Sequence, residues 1–186
     1  GFLRLNDESS IAFVCNPDID TIPVRLGETH SGNPGSNCAK GSMQHIALRV
    51  KNHEELLAMR DRLRSKGVPV MGPMDHGFCA SIYFAGPENL ALELSYSEAP
   101  IDSRAWVDPE VQALAGISDE ELARYKTSSN YSDKSGDVPQ PALDGPGPHM
   151  TGYPADGMYE AMLSTPDEVI WENSENQPPV EVADYN

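Results

Sequence analysis

A helix bracketed by Asn52 and Gly67, with β-rich runs on both sides, constrains this chain more than any other feature. Asn52 predicts an N-cap, because its side-chain oxygen can accept a backbone N–H that the first helical turn leaves unpaired. Glu54 and Glu55 follow in the first turn, where the helix dipole favours carboxylates. Leu56, Leu57, Arg60 and Leu63 share one helical face. Arg62, Arg64 and Lys66 come towards the end, and Gly67 stands where a C′ glycine belongs. The pattern predicts a helix over 53–66.

The flanks read as strands. His45 to Val50 is a β-rich run with apolar alternation. After the helix, Val68-Pro69-Val70 begins a strand that Gly72-Pro73 is expected to break. Phe78 to Phe84 and Leu90 to Tyr96 form two more, joined by Ala85-Gly86-Pro87-Glu88-Asn89. The order is strand, helix and three strands, an α+β pattern. Upstream, Phe2-Leu3-Arg4-Leu5 and Ser10 to Val14 predict a hairpin around Asn6-Asp7-Glu8-Ser9. Asn16 to Gly41 is loop, apart from a short strand-like Ile22-Pro23-Val24.

Charge divides the chain near Glu98-Ala99-Pro100. Its net charge is −16 over 186 residues, yet up to Ser97 there are 11 acids against 9 bases, a net of −2. From Glu98 onward there are 18 acids against 4 bases, a net of −14, with 10 of the 16 prolines. The acidic balance argues against nucleic acid or anionic lipid as partner. No apolar run approaches the ~18 residues of a membrane-spanning helix. Three cysteines, Cys15, Cys38 and Cys79, match no zinc spacing, and an odd, sparse set suits a reducing, cytoplasmic setting.

The stretch Met43-Gln44-His45-Ile46-Ala47-Leu48-Arg49-Val50, with Asp75-His76-Gly77 through Ser81-Ile82-Tyr83-Phe84 to Leu92-Glu93-Leu94, resembles the vicinal-oxygen-chelate superfamily. That superfamily contains glyoxalase I, bleomycin-resistance proteins, fosfomycin-resistance enzymes and extradiol dioxygenases. The resemblance covers 43–97 and extends more loosely over 1–15. It implies three segments: 1–42, the last hairpin of a preceding βαβββ module plus a linker loop; 43–97, a full βαβββ module; and 98–186, an extension. It also implies a cupped mixed sheet made by two paired modules, with a divalent metal inside the cup.

His45 and Glu93 match the two metal ligands that the second module supplies. The physical reading agrees: an imidazole and a carboxylate on neighbouring strands can bind Fe(II), Mn(II), Ni(II) or Zn(II) and leave positions open. Leu92 and Leu94 flank Glu93, so alternation turns its carboxylate to the face opposite both. A third ligand is expected from a preceding module or from a second subunit; a decayed site is the alternative. His30 is another candidate donor, in a loop setting. His76 and Tyr83 match the His and Tyr that lie over the bound catecholate in extradiol enzymes, and their spacing to Glu93 agrees with that branch. Met74, Gly86 and Asn89 depart from it, the last standing where glycine is usual. Glu8-Ser9-Ser10 replaces a frequent His pair, and serine cannot titrate near neutral pH as histidine does.

In the extension, Asp108-Pro109-Glu110 opens a short helix to Gly116, and Ser118-Asp119-Glu120-Glu121 is a capping box for a second through Lys126. Thr127 to Met150 reads as linker. Two further helices are expected over Gly157 to Leu163 and Pro166 to Glu172, the latter capped by Thr165. Trp106, Tyr125, Tyr153, Tyr159 and Trp171 predict an arm that docks on the domain or on a second subunit.

The resemblance implies a metal-dependent enzyme closest to extradiol ring-cleaving dioxygenases, with Fe(II), an aromatic diol as small-molecule substrate and a homodimer or higher oligomer. Glyoxalase-like isomerase or lyase chemistry is one alternative. A non-catalytic binding cup like that of bleomycin-resistance proteins is the other.

Overall fold

Alternation sorts the strand side chains as the sequence demands. Leu48, Ile82 and Leu94 turn to one face of the sheet, where helix α1 (His53–Ser65) covers them. The computed structural model describes residues 2–7, 9–12, 17–127, 138–175 and 177. These form two compact units, Gly1–Lys126 and Thr127–Asn186.

In the first unit a hairpin pairs β1 (Phe2–Arg4) with β2 (Ser10–Ala12). The expected continuation of β2 through Phe13 and Val14 lies outside the described residues, as does Cys15. A mixed four-stranded sheet follows, built from β3 (Ile46–Arg49), β4 (Val70–Asp75), β5 (Ala80–Ala85) and β6 (Ala91–Tyr96). Its order is β3-β6-β5-β4; β3 pairs parallel to β6, and the other two ladders are antiparallel. This is the α+β, βαβββ arrangement expected.

The caps of α1 are those its sequence signals. Asn52 Oδ1 accepts the Glu55 N–H at 2.9 Å, and Glu55 reaches back to accept the Lys51 N–H. At the other end the Gly67 and Val68 N–H groups donate to the carbonyls of Arg64 and Leu63, with Gly67 at φ 80°. That double bond is the Schellman closure, in which a left-handed residue turns the chain back on the last carbonyls. Leu56 and Ile82 are fully buried and Leu94 is 6% exposed, with Val50, Met59, Leu63 and Phe84 packed around them.

Three local expectations are corrected. Gly72-Pro73 does not end β4; the strand runs on to Asp75 with a register shift between Met71 and Met74. A bulge absorbs the proline, which has no N–H to give to the ladder. Gly72 takes φ 104°, and a Cβ there would fall 2.7 Å from the Ser81 carbonyl oxygen, so the bulge needs glycine. Ile22-Pro23-Val24 is not a strand. Ile22 and Val24 are 62% and 66% exposed and find no partner strand among the described residues. Thr165 does not cap the last helix: Pro166 takes the N-cap position, and the Thr165 hydroxyl donates to Ala161 O. Asn89 adopts φ 61°, the left-handed conformation that glycine adopts freely and asparagine tolerates.

The extension begins in the first unit. Asp108 caps α2 (Pro109–Leu114), and Ser118 Oγ accepts the Glu121 N–H at 3.1 Å to open α3 (Asp119–Lys126). Trp106 lies edge-to-face on Phe78, with ring centroids 4.7 Å apart. In the second unit, α4 (Met158–Ser164) and α5 (Asp167–Asn173) form, and Tyr153 stacks on Tyr159 at 5.4 Å. Trp171 stays 82% exposed. Among the described residues no helix is long and apolar enough to cross a membrane.

Leu56 is the point where α1 locks onto the sheet. Leu56→Ala is expected to destabilise the first unit by roughly 2–5 kcal/mol. Chemical denaturation followed by far-ultraviolet circular dichroism checks this, and an effect below 1 kcal/mol (about fivefold in the equilibrium) would show that α1 does not anchor the fold.

Candidate functional site

The face of the sheet opposite α1 carries the polar residues. The register aligns Ala47, Glu93, Tyr83 and Met71 in one row across the four strands. His45 stands one residue before β3 with the same parity as Ala47, so its ring meets Glu93. His45 Nε2 lies 3.0 Å from Glu93 Oε2. Sequence reasoning placed both residues on neighbouring strands; the parallel β3–β6 ladder brings them into contact.

Each partner is held from behind. Gln44 Nε2 donates to the Ser36 carbonyl at 3.1 Å, which leaves Gln44 Oε1 facing His45 Nδ1 at 2.6 Å. An amide oxygen only accepts, so Nδ1 carries a proton and Nε2 is the nitrogen turned towards Glu93. Ser31, 4% exposed, ties this corner down by donating from Oγ to the Gln44 carbonyl. On the other side the fully buried Ser81 hydroxyl donates to Glu93 Oε1. Glu93 is only 6% exposed, and its free oxygen Oε2 points at His45. Gln44 and Ser81 were missed by sequence reasoning. Their signals were present: Ser81 is two residues from Tyr83 on the same face, and Gln44 adjoins His45.

The second expected pair also assembles. His76 Nε2 lies 2.9 Å from the Tyr83 hydroxyl, and the Tyr83 ring stands edge-on to the rings of His76 and His45, with centroids 6.1 and 6.4 Å away. The turn that presents His76 is closed by its N–H donating to Cys79 O, while Asp75 Oδ1 accepts the Gly77 N–H. Burial pushes the Tyr83 phenol above its ordinary pKa, and the Glu93 carboxylate adds to the rise; the hydrogen bond with Ser81 opposes it. Tyr83 therefore stays neutral at physiological pH, able to donate or accept one hydrogen bond with its OH.

His30 does not join this cluster. Its Nδ1 lies 3.1 Å from Thr29 Oγ1, and its Nε2 is buried without a hydrogen-bond partner in the 17–44 loop. Among the described residues no third His, Cys, Asp or Glu completes a metal-binding group. A cavity of about 680 Å³ lies not over the His45–Glu93 pair but beyond His76, walled by Phe78, Cys79 and Trp106. The facing donor atoms on the sheet face sit at His45 and Glu93. Cys38 and Cys79 are both free thiols.

The donor pair fits a divalent cation. Two cis ligands, each roughly 2.0–2.2 Å from one ion, lie about 3 Å apart. With Nδ1 bonded to Gln44, Nε2 is the ring nitrogen left to face Glu93 Oε2, and a shared cation would meet both atoms there. Residues 4–94 match the family model of the Glyoxalase/Bleomycin resistance protein/Dioxygenase superfamily. That match supports the superfamily. It does not single out the extradiol branch.

Among solved structures, an integron cassette protein, HFX_CASS4, from the mobile metagenome of the Halifax Harbour sewage outfall is 31% identical, with a TM-score of 0.25. The alignment covers 32% of this chain and 53% of that one, so the chain spans about half the length of that relative. No curated protein matches.

The unfolded chain ionises its phenols near the ordinary value of 10.0, whereas native Tyr83 holds its proton to higher pH. Its contribution to stability is therefore intact below pH 10 and falls as pH rises through the native value. Ultraviolet titration of wild type against Tyr83→Phe should show that the variant lacks one late-ionising phenol. Tyr125, raised by its hydrogen bond to Glu121, remains in both. An unchanged late phase would overturn the assignment.

Proposed function

We propose that the open face of the sheet is a metal-dependent catalytic cup most like that of the extradiol ring-cleaving dioxygenases. The observation that carries the reading is the 3.0 Å approach of His45 Nε2 and Glu93 Oε2, each oriented by a second residue, with the His76–Tyr83 pair beside it. His45 and Glu93 would hold the ion, with Fe(II) as the first expectation and Mn(II), Zn(II) or Ni(II) as alternatives. A bound ion supplies a Lewis acid and a template for two vicinal substrate oxygens. A second module facing the cup, in another copy of the chain or elsewhere in the protein, would add the third ligand.

The remaining work falls to this chain's own side chains. Gln44 keeps His45 in the tautomer that frees Nε2, and Ser81 keeps Glu93 from turning its second oxygen away. His76 can take or return a proton at Nε2, the atom already in contact with the Tyr83 hydroxyl. Tyr83, neutral at physiological pH, offers its O–H to a developing anion on the substrate. Met71 and the Tyr83 ring supply an apolar wall on the Glu93 row against which an aromatic diol can lie.

A second reading is a non-catalytic binding cup. It is favoured by the donor pair having no third protein ligand among the described residues. Metal analysis separates the two. Purified protein is expected to contain iron, consume dioxygen with a catechol and give a yellow ring-cleavage product. His45→Ala and Glu93→Gln should lose both metal and activity, while Tyr83→Phe and His76→Ala should keep the metal and lower kcat by about 10²–10⁴. Zinc or nickel without dioxygen consumption would shift the reading to isomerase or lyase chemistry. Ligand binding that survives in His45→Ala would overturn both enzymatic readings.

The orienting residues give a further check. Gln44→Ala should weaken metal affinity by about 10–100-fold, as loss of a hydrogen bond behind a metal-bound imidazole does. Calorimetric titration of the metal-free protein measures it, and unchanged affinity would show that Gln44 does not position His45.

A further inference from the structure

The row next to Glu93 on the same face holds a charge that no ion pair among the described residues uses. The register places Arg49, Ser95, Ser81 and Met74 one pair further along the strands. Arg49 is exposed, and none of the ion pairs among the described residues includes it. Arg49 stands with Ala47, Ser95 and Glu98 around a cavity of about 430 Å³. Glu98 forms no ion pair with it.

From these observations we infer that the cup is built for an anionic substrate, a vicinal diol carrying a carboxylate, with Arg49 as the residue that recognises the carboxylate. The inference rests on the proposed metal cup and names its substrate class. Rows of a sheet two residues apart are separated by about 6.8 Å. That is the scale of an aromatic ring, so a diol held at the Glu93 row presents a ring substituent at the Arg49 row. A guanidinium suits the task because its planar fork pairs with both oxygens of a carboxylate. Arg49 is the basic side chain of the two rows, so a substituent reaching past the metal-binding row meets a positive charge at Arg49. Glu98, at the cavity wall, opposes binding there when Arg49 is removed.

The test compares catechol with a dihydroxybenzoate, both bound to the metal-loaded protein and measured by calorimetry. Wild type should bind the dihydroxybenzoate about 10–100-fold more tightly than catechol, the range of a charge-assisted hydrogen-bonded pair. Arg49→Gln should bring that ratio to about unity or below, with metal content and catechol affinity unchanged. Arg49→Lys should keep part of the preference, since it retains the charge and loses the fork. The wild-type preference should also shrink as salt is raised. A wild-type ratio near unity, or a preference that survives in Arg49→Gln, overturns the inference and leaves the metal cup standing. Failure of both probes to bind, or binding that does not need the metal, overturns the metal cup, and the inference falls with it.

Discussion

A carboxylate inside a sheet is costly unless its oxygens are satisfied, and Glu93 is 6% exposed with apolar neighbours on either side in sequence. The structure meets that demand with two partners from opposite directions. Ser81 comes from the antiparallel neighbour β5, and His45 from the parallel neighbour β3. Neither partner could reach Glu93 if any strand slipped by one residue, since a one-residue slip turns every side chain to the other face. The same register turns Leu94 and Ile82 towards α1 and seals the core. Burial of the apolar face and satisfaction of one acid are thus a single constraint on strand pairing.

The loop before β3 extends the same economy. Its backbone and side chains look irregular, yet Ser31, Ser36 and Gln44 form a short chain of hydrogen bonds that ends on His45. Polar groups in a segment without regular structure must find partners somewhere. Here their partners fix one imidazole. The charge distribution fits this division of labour: the module with the donor atoms is near neutral, and most of the net −16 lies in the extension after Ser97.

Much of this was legible beforehand. The bounds of α1 followed from Asn52 and Gly67, whose effects act within one turn. The orientation of Glu93 followed from Leu92 and Leu94, because the strand period is two. The pairing of His76 with Tyr83 was implied by resemblance and not by spacing alone. What failed has local causes too. A Gly-Pro pair reads as a break, but a bulge with glycine at φ 104° lets the strand continue past it. Ile22-Pro23-Val24 has strand residues but, among the described residues, no strand to pair with. Thr165 has capping chemistry but spends its hydroxyl on the preceding helix.

By itself, then, the sequence determined the α+β order, the helix caps, the face each strand residue takes and the candidates for chemistry. Those depend on neighbours a few residues away, where chain geometry leaves few options. Only the tertiary structure decided that His45 and Glu93, 48 residues apart, meet at 3.0 Å, that Gln44 and Ser81 stand behind them, and that His30 stays apart. Those outcomes depend on a parallel register and on loop closure. Both are set by how the whole module buries its apolar face.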